Sequence, residues 1–124
     1  MKKIYLFLLL SIFSFSALAD WQKYSSGSDD GTSLFFNRST IKKNGNKVKL
    51  WLLIDYPAPF NSAKSIKYHR EFDCKKDTVE TLFITAYKEN MGMGDLIISG
   101  KSENGVTPII PDSTDEILKN IICR

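Results

Sequence analysis

Residues 47–56, KVKLWLLIDY, are the stretch that decides the fold. Apolar side chains recur there at every second position, which is the period of a β-strand with one buried face. The predicted core face consists of Val48, Leu50, Leu52, Ile54 and Tyr56. The other face mixes lysines with Trp51 and Leu53, so we expect another element to cover about half of it.

Turn signals bound this strand on both sides. Asn44-Gly45 precedes it, and both residues tolerate the positive φ that a two-residue hairpin turn requires. Pro57 follows it and cannot donate a ladder hydrogen bond, so the strand is predicted to end at Tyr56.

Further strands follow along the chain. Residues 65–74 alternate again, and residues 78–87 are apolar on both faces, which predicts a central strand. In that strand the simple alternation assigns Leu82, Ile84 and Ala86 to one face and Val79, Phe83 and Tyr87 to the other. Shorter strands are predicted at residues 21–24, 34–36, 95–99 and 106–110.

The C-terminal segment has the pattern of a helix. Ser113 and Glu116 have the spacing of a capping box. The predicted buried stripe consists of Ile117, Leu118, Ile121 and Ile122. The sequence therefore predicts an α+β fold, in which an antiparallel sheet of about six strands is covered on one face by a C-terminal helix.

The N-terminal segment has the features of a secretory signal peptide, assigned to residues 1–19. It consists of a basic start, an apolar run and the small-residue cleavage site Ala17-Leu18-Ala19. The apolar run is too short to span a bilayer. Because Asp20 rather than a cysteine follows the cleavage site, no lipid anchor is expected. The chain is predicted to be exported, to the periplasm or the cell surface, as a single domain over residues 20–124.

The chain has two cysteines, Cys74 and Cys123. In an oxidising compartment such a pair is predicted to form a disulfide, which would join the terminal helix to the strand that holds Cys74. A redox-active or metal-binding thiol pair is disfavoured, because the chain has no Cys-x-x-Cys spacing.

Catalytic chemistry has little support in the sequence. His69 is the single histidine, and it shares a predicted strand face with Glu71 and Asp73, an arrangement that we interpret as a solvated charged face. Gly92 and Gly94 do not fit a phosphate-binding loop. We therefore expect no enzyme activity, no catalytic residue, no cofactor and no metal ligand; a small hydrolase or metal-binding protein is the least favoured alternative and depends on His69 alone.

A basic patch is the candidate ligand-binding site. Lys42, Lys43, Lys47 and Lys49 surround the Asn44-Gly45 turn and could hold a sulfated polysaccharide or an acidic protein surface. The alternative is that these lysines only protect strand edges from aggregation. Without the leader lysines the basic and acidic residues nearly balance, so nucleic acid is not an expected partner.

An ordered set of residues resembles a known family. The set is Trp21-x-x-Tyr24, Leu34-Phe35-Phe36, Ile41-x-Lys43-x-Gly45, Val48-x-x-Trp51, Asp55-Tyr56, Ser65, Glu71-x-Asp73-Cys74, Tyr87, and a proline-led helix through Ser113 to Cys123. With this set the chain resembles the bacterial surface-adhesin protein E family over nearly all of residues 20–124.

The resemblance implies a small antiparallel sheet with a C-terminal helix and a disulfide. It also implies an adhesin that binds host matrix proteins such as vitronectin and laminin. The leading hypothesis is therefore an exported, non-enzymatic domain that recognises a host matrix protein or glycan. The alternative is a periplasmic envelope protein that binds a bacterial partner or forms a homodimer through a strand edge.

Overall fold

A computed structural model describes residues 20–26 and 30–124, so the predicted signal peptide at residues 1–19 lies outside the described part of the chain. The described residues form eight strands and one α-helix. The elements are β1 (Trp21–Ser25), β2 (Ser33–Asn37), β3 (Lys42–Asn44), β4 (Lys47–Phe60), β5 (Ala63–Asp73), β6 (Thr78–Tyr87), β7 (Leu96–Lys101), β8 (Val106–Pro108) and α1 (Thr114–Ile122). None of the helices in these residues is long and apolar enough to cross a membrane.

All strands pair antiparallel in one sheet, in the order β1-β2-β4-β5-β6-β7. β3 also pairs with β4, and β8 also pairs with β6. The prediction of about six strands was therefore too low. The sheet is six strand positions wide. β2 and β3 lie end to end beside β4, because a 3-10 turn at Arg38–Thr40 separates them. In the same way, β7 and β8 lie end to end beside β6 and are separated by the loop after Lys101.

The β4–β5 hairpin is longer than predicted. β4 continues past Pro57 to Phe60, and Asn61 and Ser62 close the hairpin with φ values of 49° and 71°. The paired register jumps from Asp55 directly to Phe60. The intervening residues, prolines included, bulge out of the ladder, so the missing proline N–H costs no hydrogen bond there. The prediction that Pro57 ends the strand was wrong for this reason.

A bulge also changes the faces of β6. His69 pairs with Phe83 and Arg70 pairs with Thr81, so Leu82 is the extra residue. Val79 consequently lies in the same buried cluster as the core residues of β4, whereas simple alternation placed it opposite Ile84 and Ala86. The predicted division of faces in β6 was wrong because one inserted residue reverses the alternation.

Helix α1 covers one face of the sheet, which we call the helix face. Leu118 and Ile122 are buried there against side chains of β2, β4, β5 and β6. Ile117, predicted to belong to the buried stripe, is instead 45% exposed. Ser113 caps the helix by accepting a hydrogen bond from the Glu116 N–H at 3.3 Å, as the capping-box spacing predicts.

Both ends of the helix are fixed to the sheet. At its start, Asp115 Oδ1 accepts from Arg70 Nη1 of β5 at 2.7 Å. At its end, Cys123 forms a disulfide with Cys74, which directly follows β5. Because α1 is held at both ends on the helix face, it leaves the opposite face of the sheet uncovered.

Candidate binding face

The uncovered side of the sheet, which we call the open face, carries a row of aromatic side chains. Residues directly opposite on paired strands share a face, and Trp51 lies opposite His69, which lies opposite Phe83. The Trp51 and His69 rings stack with centroids 4.8 Å apart and an interplanar angle of 12°, and Phe83 contacts Trp51 edge-on. These three rings are partly exposed, because no helix covers this face of the sheet.

A 3-10 turn, Asn90–Gly92, covers one end of the open face. The Met91 N–H donates to Asp55 Oδ1 at 2.8 Å, and the Gly92 N–H donates to Ser65 Oγ at 2.8 Å. The expectation that another element would cover part of this face is met at that end. The remaining surface forms the candidate site.

A groove of about 300 Å³ crosses the open face. Its lining consists of Trp21, Asn37, Thr40, Trp51, Lys67, Thr85 and Tyr87. Lys67 Nζ lies 5.7 Å from the Trp21 ring centroid and 5.1 Å from that of Tyr87, within the range of cation–π attraction. Thr85 is 8% exposed, and its hydroxyl has no hydrogen-bond partner in the described part of the chain.

The structure divides the predicted basic patch. Lys42 lies opposite Lys49, and Lys47 follows the same alternation, so these three lysines share the open face. Lys43 lies opposite Val48 on the other face, where its Nζ donates to the carbonyl oxygen of Arg124 at 3.2 Å. The open-face lysines are only partly neutralised: the Lys47 and Lys49 ammonium groups lie 3.6 Å and 3.7 Å from the Glu71 carboxylate.

The three residues of the predicted charged face, His69, Glu71 and Asp73, each contact different partners. His69 stacks on Trp51, Glu71 pairs with lysines, and Asp73 Oδ1 accepts from the backbone N–H groups of the following turn. Within residues 20–26 and 30–124, no cluster of His, Cys, Asp and Glu side chains could hold a metal ion. The hydrogen bonds from the backbone N–H groups of the turn lower the pKa of the Asp73 carboxyl.

His69 has an environment that disfavours its charged form. Partial burial, followed by the nearby charges of Lys49 and Lys42, lowers the pKa of His69 below 6.5, while Glu71 opposes this shift. A His69→Gln variant is expected to remove a specific pH dependence of stability. The folded pKa is the lower one, so the unfolded chain takes up the proton first, and the free energy of unfolding of the wild type falls as the pH drops below about 6.5.

The measurement is urea unfolding of both proteins at pH about 7.5 and about 5.5. The wild type should lose more stability than His69→Gln between these values. Asp73 does not interfere, because its lowered pKa places its contribution at more acidic pH. Equal losses in the two proteins would show that the His69 environment does not favour the neutral ring.

A second cleft, of about 250 Å³, lies on the helix face beside the start of α1. Its charged groups, Arg70 and Asp115, already pair with each other. Burial, with the Asp115 charge as the next cause, raises the pKa of the Tyr24 hydroxyl, so that group stays neutral. The charged groups of this cleft thus pair with each other, whereas Lys67 in the groove of the open face belongs to none of the ion pairs among the described residues.

Sequence reasoning missed the groove, because its residues come from five different strands and one 3-10 turn. A signal was present in part: Trp51 among the lysines of residues 47–56, and Lys67 beside His69 on the predicted outer face of residues 65–74. Neither pattern identifies Trp21, Thr85 or Tyr87 as neighbours, since only the strand order and register bring them together.

Comparisons with known proteins identify relatives of the same architecture. A family model described as Surface-adhesin protein E matches residues 21–124. The structure of crystal form II of Haemophilus influenzae protein E is similar over 87% of this chain and 90% of that chain, with 15% identity and a TM-score of 0.63. Protein E from non-typeable Haemophilus influenzae is similar over 88% of this chain and 78% of that chain, with 16% identity and a TM-score of 0.62. No curated protein sequence matches the chain. At these identities the solved structures show the shared fold alone.

Proposed function

Because the chain belongs to the surface-adhesin protein E family, we propose that it is a non-enzymatic binding protein that recognises a host matrix protein or glycan through the open face. The observation that supports this proposal is the uncovered row of aromatic rings beside three lysines. Aromatic side chains contribute large contact areas at interfaces, and an excess of positive charge accelerates association with acidic partners.

The proposal includes export. Residues 1–19 would be removed as a signal peptide, leaving a single domain at residues 20–124 without a lipid anchor. The Cys74–Cys123 disulfide supports an oxidising compartment, since such bonds persist mainly in exported proteins.

The proposal is tested by surface plasmon resonance with the purified protein over immobilised vitronectin, laminin and heparin. Saturable binding at micromolar concentration to at least one of them is the expected result. Failure to bind all three at that concentration would overturn the proposal.

A second candidate is a periplasmic protein that associates with itself or with an envelope partner. Strand β7 favours it, because Leu96 and Ile98 on that strand are 54% and 62% exposed, and exposed apolar edge strands favour strand-to-strand pairing. Protease treatment of intact cells distinguishes the two candidates: a surface adhesin is digested, whereas a periplasmic protein is spared. Light scattering after size-exclusion chromatography then reports whether the protein is a dimer.

A further inference from the structure

We propose that the groove on the open face binds an acidic sugar, that is, a saccharide ring that carries a carboxylate or sulfate group. This inference rests on the proposed function and specifies the class of ligand for the same face. Three features of the groove support it: its aromatic rings, its central ammonium group and its buried hydroxyl group.

The aromatic rings suit one face of a sugar. Trp21, Trp51 and Tyr87 line the groove and leave about 300 Å³ between them, at the lower end of the size of small-ligand sites. The C–H groups on one side of a sugar ring form an apolar surface with a slight positive charge, which is attracted to the negative face of an aromatic ring. Rings of this kind accept a sugar by stacking, while its hydroxyl groups remain free for hydrogen bonds.

Lys67 supplies the positive charge. Its ammonium group lies near the Trp21 and Tyr87 rings, and none of the ion pairs among the described residues includes it. The Asn90–Gly92 turn packs against its stem: a β-carbon at Gly92 would clash with Lys67 Cε, and Gly92 also needs φ of 71°. The ammonium group is thus held in the groove without a carboxylate partner, which suits an anionic group of a ligand.

Thr85 contributes a polar atom that lacks a partner. Its side chain is more than nine-tenths buried and lines the groove, and its hydroxyl makes no hydrogen bond in the described part of the chain. Buried hydroxyl groups are nearly always paired, because desolvation without a hydrogen bond is unfavourable. A sugar hydroxyl or carboxylate in the groove would provide the missing partner once the Thr85 side chain turns its hydroxyl toward the groove.

The surrounding charge extends the site. Lys42, Lys47 and Lys49 lie farther along the same face, where Glu71 is in ion-pair contact with Lys47 and Lys49. An acidic chain whose terminal or internal ring occupies the groove could continue over these lysines. An acidic polysaccharide therefore suits the face better than a neutral one.

Tryptophan fluorescence tests the inference directly, because both tryptophans of the protein line the groove. The protein, expressed from its full-length coding sequence, is titrated with a hyaluronan tetrasaccharide, a heparin-derived tetrasaccharide, neutral cellotetraose and a glutamate-rich peptide. The expected result is a saturable change in emission with at least one acidic sugar, at an affinity about tenfold or more above that for cellotetraose. No change with either acidic sugar, equal affinity for cellotetraose, or tighter binding of the peptide would overturn the inference.

Two variants test the assigned contacts. Lys67→Met keeps a long stem against Gly92 but removes the charge, and Thr85→Val removes the hydroxyl at nearly constant shape. Both should weaken binding of the acidic sugar by about fivefold or more, while Thr85→Val should melt at the same temperature as the wild type or higher, since it removes an unpaired buried hydroxyl. The control is Lys75→Met, an exposed lysine of the turn between β5 and β6 and outside the groove lining, which should leave the affinity unchanged.

The outcomes separate this inference from the proposed function. If vitronectin or laminin binds while neither acidic sugar does, the groove assignment is wrong and the proposed function remains supported. If an acidic sugar binds and the two groove variants lose it, the inference holds whether or not a matrix protein binds. Unchanged affinity in both variants would contradict the assigned groove.

Discussion

Replacing both Cys74 and Cys123 with serine is expected to lower the free energy of unfolding by about 4 kcal/mol. The disulfide joins residues separated by 49 positions. In the chain-entropy account, removing the cross-link that closes a loop of this size gives the unfolded chain much more conformational freedom. This loss is large compared with the total free energy of unfolding of a typical protein, which is about 5–15 kcal/mol. It should lower the melting temperature by roughly 20 °C.

Thermal unfolding monitored by circular dichroism, with and without reductant, measures this effect. The wild type with reductant should melt close to the double-serine variant, and reductant should leave the variant unchanged, which makes the variant its own control. Coincident melting of the wild type with and without reductant would contradict a stabilising bond between α1 and the end of β5.

Leu118→Ala is expected to lower the free energy of unfolding by about 2–5 kcal/mol. Leu118 is fully buried between α1 and the helix face, so its truncation removes apolar contacts and leaves a cavity that the disulfide-tethered helix can only partly close. Loss of this contact weakens the packing of the helix on the sheet.

Ile117→Ala is the matched control, because it removes an aliphatic side chain from the adjacent position of the same helix. Ile117 is 45% exposed, so the expected loss is below about 1 kcal/mol. Both values come from urea unfolding. Similar losses in the two variants would show that Leu118 is not a core residue, and the orientation of α1 described above would be wrong.

Local patterns predicted most of the framework. The alternation in residues 47–56 located strand β4 and its core face, and the Ser113 cap located the start of the helix. The two cysteines predicted the disulfide that the structure contains. Each of these features depends on residues that are close in sequence, or on a pairing for which the chain offers one choice.

The errors in strands β4 and β6 have a shared physical cause. The bulge at Leu82 and the bulge after Asp55 each add residues to one strand without a partner, and periodicity cannot register them because they depend on the neighbouring strand. Ile117 fits the helical stripe by spacing, but the helix is rotated so that Leu118 and Ile122 face the sheet.

The candidate site was the least predictable part. The sequence grouped four lysines around one turn, yet strand alternation sends Lys43 to the helix face and keeps Lys42 and Lys49 together on the open face. The groove next to them depends on register across five strands, so a residue such as Thr85 has no local feature that marks it. Long-range pairing therefore determines the site.

The central claim is that the open face binds the ligand, and a charge-reversal pair tests it most directly. Lys42→Glu/Lys49→Glu alters this face, whereas Lys75→Glu/Lys76→Glu makes the same change in charge at exposed positions of the β5–β6 turn. Surface plasmon resonance over the matrix protein or heparin that binds the wild type compares the two. The open-face pair should weaken binding by about tenfold or more and the turn pair by less than about threefold. Equal weakening, or a stronger effect of the turn pair, would contradict the assignment of the open face.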